Sequence, residues 1–122
     1  MRAAGLDIGS RTVKLVVLDD DGEPALARKA LTSYSLLETA LELLKDVDYE
    51  RMAASGYGRH LVADSAECNV ISEIRAFALG ARALLPSCRT ILDIGGTGHK
   101  GHLPGRGRGH TQQFEVSFVL AE

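Results

Sequence analysis

The tetrapeptide Leu-Asp-Ile-Gly occurs twice in this chain, at residues 6–9 and again at residues 92–95. Each copy closes a short apolar run that is typical of a β-strand, so each places an aspartate and a glycine at a strand end. The glycine lets backbone N–H groups approach an anion closely, and the carboxylate can reach a cation or its water shell. Two such turns predict two loops that hold one polyphosphate between them.

Composition and charge exclude several classes of protein. The 122 residues suffice for one modest domain, and a hydrophobic share of 45% is ordinary for a globular protein. A net charge of −2 gives no reason to expect nucleic acid or an anionic membrane as a partner. No apolar stretch approaches the roughly 20 residues that cross a bilayer, and Asp7 and Arg11 interrupt any signal-peptide core. Cys68 and Cys88 lack metal-ligand spacing, which favours a reduced, cytoplasmic protein.

The pattern of residues 1–96 predicts an α/β layer. Strands are predicted at Ala3–Ile8, Thr12–Leu18, Pro24–Leu31, Arg51–Ser55 and residues 90–94. Helices are predicted after Ser35, where Ser35-Leu-Leu-Glu38 matches a capping box, and over residues 72–85, just before Pro86. The resulting order, βββαβαβ, describes a mixed sheet whose first three strands form an antiparallel meander.

The composition of the chain changes abruptly near its end. Between Gly95 and His110 lie seven of the 13 glycines and three of the four histidines. From residue 97 to residue 113 the only large apolar residue is Leu103, so an irregular loop or disorder is predicted. Residues 114–120 are apolar enough to form a strand, either beside residues 90–94 or through self-association.

Residues 5–14, Gly-Leu-Asp-Ile-Gly-Ser-Arg-Thr-Val-Lys, form the most specific stretch of the chain. A Walker A loop is excluded, because its spacing is absent and a strand follows in place of a helix. The predicted structure is a hairpin with Gly9 and Ser10 at its tip, where the Ser10 hydroxyl and nearby amides can contact terminal phosphates. Lys14 would add a compact positive charge, and Asp7 would hold Mg²⁺ through water. The alternative is a plain hairpin with a surface lysine.

Four segments in this order carry a family resemblance: residues 5–14, Ser-Gly-Tyr-Gly-Arg at 55–59, the helix at 71–81, and Thr-Ile-Leu-Asp-Ile-Gly-Gly at 90–96. Together they resemble the N-terminal half of the BadF/BadG/BcrA/BcrD-type ATPases, the CoA-substrate-specific enzyme activases. These proteins activate 2-hydroxyacyl-CoA dehydratases and benzoyl-CoA reductases. The resemblance implies the actin-like (ribonuclease H-like) fold that the family shares with acetate and sugar kinases and Hsp70 chaperones.

The resemblance also implies which residues bind the nucleotide. The first phosphate loop would contain Asp7, Gly9, Ser10 and Lys14, and the second would contain Asp93, Gly95 and Gly96. Residues 1–89 would form the first lobe with the connecting helix at 72–85, in which Glu73 is a candidate for contact between lobes. Residues 90–96 would begin the second lobe, and residues 97–122 would form an atypical tail. No catalytic residue is assigned.

The implied ligands are ATP and Mg²⁺, and the implied partner is a CoA-ester dehydratase or reductase. In the family, ATP hydrolysis drives a lobe movement that lets a [4Fe-4S] cluster, shared across a homodimer, pass on a low-potential electron. Neither Cys68 nor Cys88 matches a cluster ligand, so no iron–sulfur ligand is assigned to this chain. The expected function is the ATP-binding half of such an activase. The alternatives are an inactive truncated nucleotide-binding module and a fragment of a small-molecule kinase.

The chain departs from the family pattern after Gly96. The family usually continues Gln-Asp-Ser/Thr-Lys, whereas this chain reads Thr-Gly-His-Lys at residues 97–100. It also stops before the expected second lobe and its cluster cysteines. Codon degeneracy permits the tail to be the family sequence read in an altered frame, and the alternative is a genuine Gly/Arg/His loop.

Overall fold

The computed structural model describes residues 1–95, 102–104, 111–113 and 115–120 of the chain. The chain divides into two compact units, Met1–Glu73 and Ile74–Glu122, and each contains one copy of Leu-Asp-Ile-Gly. The division therefore falls near the start of the second predicted helix. A lobe boundary between residues 89 and 90 stays a prediction.

The first unit is a mixed sheet with two helices. In chain order its elements are β1 (Ala3–Ile8), β2 (Thr12–Leu18), β3 (Pro24–Leu31), α1 (Leu36–Leu44), β4 (Arg51–Ser55), α2 (Arg59–Ala63) and β5 (Asn69–Val70). The strand order is β3-β2-β1-β4-β5, in which β1 is antiparallel to β2 and parallel to β4. The predicted antiparallel meander is confirmed. The predicted order lacked α2 and β5, whose five and two residues are too short to show a periodic pattern.

One face of this sheet carries the core of the unit. The buried side chains alternate along the strands, as period-2 packing requires: Ala4, Leu6 and Ile8 in β1, Val13, Leu15 and Val17 in β2, and Met52 and Ala54 in β4. Helices α1 and α2 contribute the buried Ala40 and Val62 to the same cluster. Because Asp7 and Lys14 occupy the intervening positions of their strands, both lie on the opposite face.

Both ends of α1 are hydrogen-bonded by side chains. The Glu38 N–H donates to Ser35 Oγ at 3.3 Å, which confirms the predicted N-cap. At the other end, Arg28 Nη1 donates to the carbonyl oxygens of Leu43 at 3.0 Å and Lys45 at 2.9 Å. These bonds satisfy carbonyls that have no partner inside the helix, so β3 fixes the end of α1.

The second unit contains one helix, whose first residue belongs to the first unit, and four strands among its described residues. They are α3 (Glu73–Leu84), β6 (Thr90–Gly95), β7 (His102–Pro104), β8 (Thr111–Gln113) and β9 (Glu115–Leu120). β6 pairs with β9 antiparallel, with Thr90 opposite Leu120 and Gly95 opposite Glu115. The predicted pairing of an apolar C-terminal strand with β6 is therefore confirmed for residues 115–120.

The prediction of irregular structure over residues 97–113 is wrong for β7 and β8. These two short strands pair antiparallel, with His102 opposite Gln113 and Pro104 opposite Thr111. The prediction weighed side-chain burial against chain entropy and left out the backbone hydrogen bonds that paired strands gain. The rest of that stretch, with Gly96 and Phe114, lies outside the described residues.

Candidate phosphate-binding site

The turn between β1 and β2 is tight and brings main-chain groups to its surface. The Gly9 N–H donates to the Thr12 carbonyl oxygen at 3.0 Å. A Cβ atom at Gly9 would lie 2.9 Å from the same oxygen, so a larger residue would force this turn open. Ser10 and Arg11, which follow Gly9 in the turn, are exposed. The predicted hairpin with Gly9 and Ser10 at its tip is present, and the Ser10 hydroxyl is accessible to a ligand.

The end of β3 anchors this turn from the side. The Thr32 N–H donates to the Arg11 carbonyl oxygen at 2.8 Å, and Thr32 Oγ1 donates to the Gly9 carbonyl oxygen at 3.3 Å. Thr32 thus bonds two main-chain groups of the tip and reduces the ordering that a ligand would have to impose. No sequence signal marks Thr32, because its role depends on strand pairing.

Asp7 and Lys14 face each other across the hairpin. They are directly opposite in the β1–β2 register, and Lys14 Nζ lies 3.8 Å from Asp7 Oδ2. The two side chains are 38% and 52% exposed, respectively, so this ion pair contributes at most about 1 kcal/mol to stability. Both groups therefore remain available to a ligand that offers a phosphate oxygen to the ammonium and a cation to the carboxylate.

The turn after β4 lies against the end of β1. The two strands are parallel with Asp7 opposite Ser55, so their carboxyl ends meet at one edge of the sheet. The Gly58 N–H donates to the Ile8 carbonyl oxygen at 3.0 Å. Gly56 has φ +89°, and a Cβ atom there would lie 2.7 Å from the Ile8 oxygen and 2.8 Å from Asp7 Oδ1.

This Gly-x-Gly turn belongs to the site, although the sequence pattern predicts no role for it beyond the family resemblance. The available signal was a pair of glycines directly after a strand, which is typical of close backbone approach. The sequence alone does not predict that β4 lies beside β1, because two strands and a helix separate them along the chain.

The residues predicted for the second phosphate loop lie in the second unit. Asp93 and Gly95 are in β6, where they stand opposite Ser117 and Glu115 of β9. Gly96 lies outside the described residues. A polyphosphate held between the two Leu-Asp-Ile-Gly turns stays a prediction.

The oxygen donors at the first turn fit Mg²⁺ that arrives with a phosphate ligand. Asp7 provides a partly exposed carboxylate and Ser10 an exposed hydroxyl, and Mg²⁺ commonly uses one or two carboxylates, phosphate oxygens and retained waters. Among the residues that the structure describes, no group of three or more His, Cys, Asp or Glu side chains could hold a metal ion.

Residues 4–115 match the sequence model of the BadF/BadG/BcrA/BcrD ATPase family. The chain belongs to this family. It is 38% identical over 105 residues to the activator of lactoyl-CoA dehydratase from Anaerotignum propionicum, covering 79% of this chain and 39% of that protein. It is 32% identical over 105 residues to the 2-hydroxyisocaproyl-CoA dehydratase activator from Clostridioides difficile, covering 79% and 38%. The chain spans about two fifths of the length of these relatives.

Solved structures show the same fold. Component A of the (R)-2-hydroxyglutaryl-CoA dehydratase of Acidaminococcus fermentans gives a TM-score of 0.67 at 23% identity, covering 96% of this chain and 47% of that one. The activator of the 2-hydroxyisocaproyl-CoA dehydratase from Clostridium difficile, solved with bound ADPNP, gives 0.65 at 26% identity, covering 96% and 46%. A ROK family protein from Streptococcus pneumoniae gives 0.60 at 15% identity, covering 98% and 46%. The predicted actin-like ATPase fold is confirmed.

Proposed function

We propose that this chain is the ATP-binding part of an activator of a CoA-ester dehydratase. The observation that carries the proposal is the Asp7–Lys14 pair, which lies in register next to the exposed turn of Gly9 and Ser10. Support comes from the family and from relatives named as dehydratase activators, one of which was solved with ADPNP.

Each residue of the turn has a separate role in binding the nucleotide. The Ser10 hydroxyl and tip amides donate to terminal phosphate oxygens, and Gly9 keeps the approach free of side-chain atoms. Lys14 exchanges the Asp7 carboxylate for a phosphate oxygen and forms a charge-assisted hydrogen bond with it. Asp7 is then free to hold Mg²⁺ through water. Mg²⁺, when bound, neutralises phosphate charge and orients the phosphate chain.

The coupled activity belongs to the longer proteins of the family. In this proposal, the longer protein would couple ATP hydrolysis to low-potential electron transfer to a CoA-ester dehydratase or reductase in a cytoplasmic homodimer, and a [4Fe-4S] cluster would supply the electron. We assign no cluster ligand to Cys68 or Cys88. In the described residues, no helix has both the length and the apolar character that a membrane span needs.

Calorimetric titration of Mg-ATP into the wild type and Lys14→Ala tests the proposal. Loss of a charge-assisted phosphate contact should weaken binding by roughly 1.5–3 kcal/mol, which is about ten- to hundred-fold. Lys45→Ala, at an exposed position just after α1, is the matched control and should bind as the wild type does. Equal affinities in all three proteins would show that the hairpin is not a phosphate loop.

Phosphate release measured on the same samples separates an ATPase from a nucleotide-binding module without turnover. Binding that depends on Lys14 without phosphate release would support the module. Lys14-dependent release would support the enzyme component.

A further inference from the structure

Arg59 forms two hydrogen bonds to the Gly-x-Gly turn that directly precedes it in the chain. The Gly56 carbonyl oxygen accepts two hydrogen bonds from this one residue, from the Arg59 N–H at 3.3 Å and from Arg59 Nη1 at 2.9 Å. The hydrogen bond from the guanidinium therefore closes a ring that contains the main chain of residues 56–59. A hydrogen bond from a charged donor is stronger than a neutral one, so this ring resists opening.

Asp7 lies close to the same turn. The position that a Cβ atom of Gly56 would take lies 2.8 Å from Asp7 Oδ1, whereas Lys14 Nζ lies 3.8 Å from Asp7 Oδ2. One carboxylate oxygen thus borders the Gly56 main chain and the other borders the ammonium group. Movement of Gly56 would therefore change the surroundings of Asp7 Oδ1.

Arg59 is half-buried, so its charge is not fully screened by water. A half-buried arginine that donates to a main-chain carbonyl oxygen restricts the movement of that oxygen.

We propose that Arg59 is a positioning residue that holds the Asp7 carboxylate, through Gly56, in the orientation that receives the Mg²⁺ of a bound nucleotide. This inference rests on the proposed function. The inference gives the two basic residues different roles. Lys14 binds the phosphate, whereas Arg59 orients the carboxylate that binds the metal. Partners behind a metal-binding side chain typically change metal affinity about 10- to 100-fold when they are removed.

The test compares nucleotide affinity in Mg²⁺ and in EDTA for the full chain and its variants. In Arg59→Met the tightening of ATP binding by Mg²⁺ should fall about tenfold, while affinity in EDTA stays at the wild-type value. Arg59→Lys, which keeps a charged donor, should recover part of the tightening. Arg51→Met, an exposed arginine at the opposite end of β4, should change neither value. Lys14→Ala should weaken binding in both conditions.

A second measurement needs no nucleotide. With ¹³C-labelled aspartate, the Asp7 carboxyl resonance, assigned by its loss in Asp7→Asn, should shift in Arg59→Met, whereas that of the exposed Asp21 should not. An unmoved Asp7 resonance, or equal losses of affinity with and without Mg²⁺, would overturn the inference. Absence of ATP binding in the wild type would refute the proposed function alone, because the Asp7 resonance still decides the role of Arg59.

Discussion

At the scale of the residue, Gly56 is a position of the candidate site that tolerates little change. Its φ of +89° and the 2.7 Å between a Cβ atom and the Ile8 carbonyl oxygen are two separate obstacles to any side chain. Gly22 shares the first obstacle, with φ +80°, but has open space around it. The pair therefore allows the conformational cost to be separated from the steric one.

We expect Gly22→Ala to lower the free energy of unfolding by about 1–2 kcal/mol, the cost of left-handed backbone for a residue with a Cβ atom. Gly56→Ala should cost about 1–3 kcal/mol more, because the Ile8 main chain must also move. Urea unfolding followed by circular dichroism measures both. Equal destabilisation of the two variants would contradict the close approach of Gly56 to β1.

Cys68 gives a prediction about pH. Burial raises the pKa of the Cys68 thiol, because the thiolate loses hydration. At any pH below that pKa the folded protein then holds less thiolate than the unfolded chain does, so alkylation is slower. In Cys88→Ser, the iodoacetamide rate of the native protein should still rise at pH values where the rate in urea has levelled off. Superimposable pH profiles would contradict the burial of this thiol.

At the scale of the element, short sequence patterns correctly predicted the features that depend on interactions between residues close in the chain. β1, β2 and β3 have the predicted bounds because alternation and the Asp-Asp-Asp-Gly turn lie within a few residues of each other. Ser35 caps α1 as predicted for the same reason. The clamp of Arg28 on the end of α1 could not be predicted, because it depends on which face of β3 the arginine occupies.

Arg28→Ala should therefore destabilise the protein by about 1–3 kcal/mol, since two carbonyl oxygens at the end of α1 lose a charged donor. Lys29→Ala is the matched control: the adjacent residue is exposed and stands opposite Lys14 on the other face of the sheet. Like charges directly opposite are unfavourable, so this control should be neutral or slightly stabilising. Thermal unfolding of both variants checks the difference, and equal losses would contradict the clamp.

At the scale of the whole molecule, the sequence predicts the first phosphate turn better than the site as a whole. Asp7, Gly9, Ser10 and Lys14 lie within one hairpin, so their proximity follows from local pairing. Gly56 and Arg59 reach the site through parallel pairing of distant strands, which no local pattern encodes. The altered-frame explanation of the tail stays a prediction, which the gene sequence around codon 97 tests.

Deletion of residues 98–122 tests how the fold distributes its stability. In the described residues, the core cluster and the side chains packed on it lie between Ala4 and Cys68, within the first unit. Removing the tail should therefore leave the unfolding temperature of that unit unchanged to within about 4 °C, which corresponds to less than 1 kcal/mol. Leu15→Ala is the reference for a large effect. It opens a cavity at a fully buried site and should lower the free energy of unfolding by about 2–5 kcal/mol. A loss on deletion as large as that of Leu15→Ala would show that the tail is an integral part of the fold, and the altered-frame explanation would then lose its physical support.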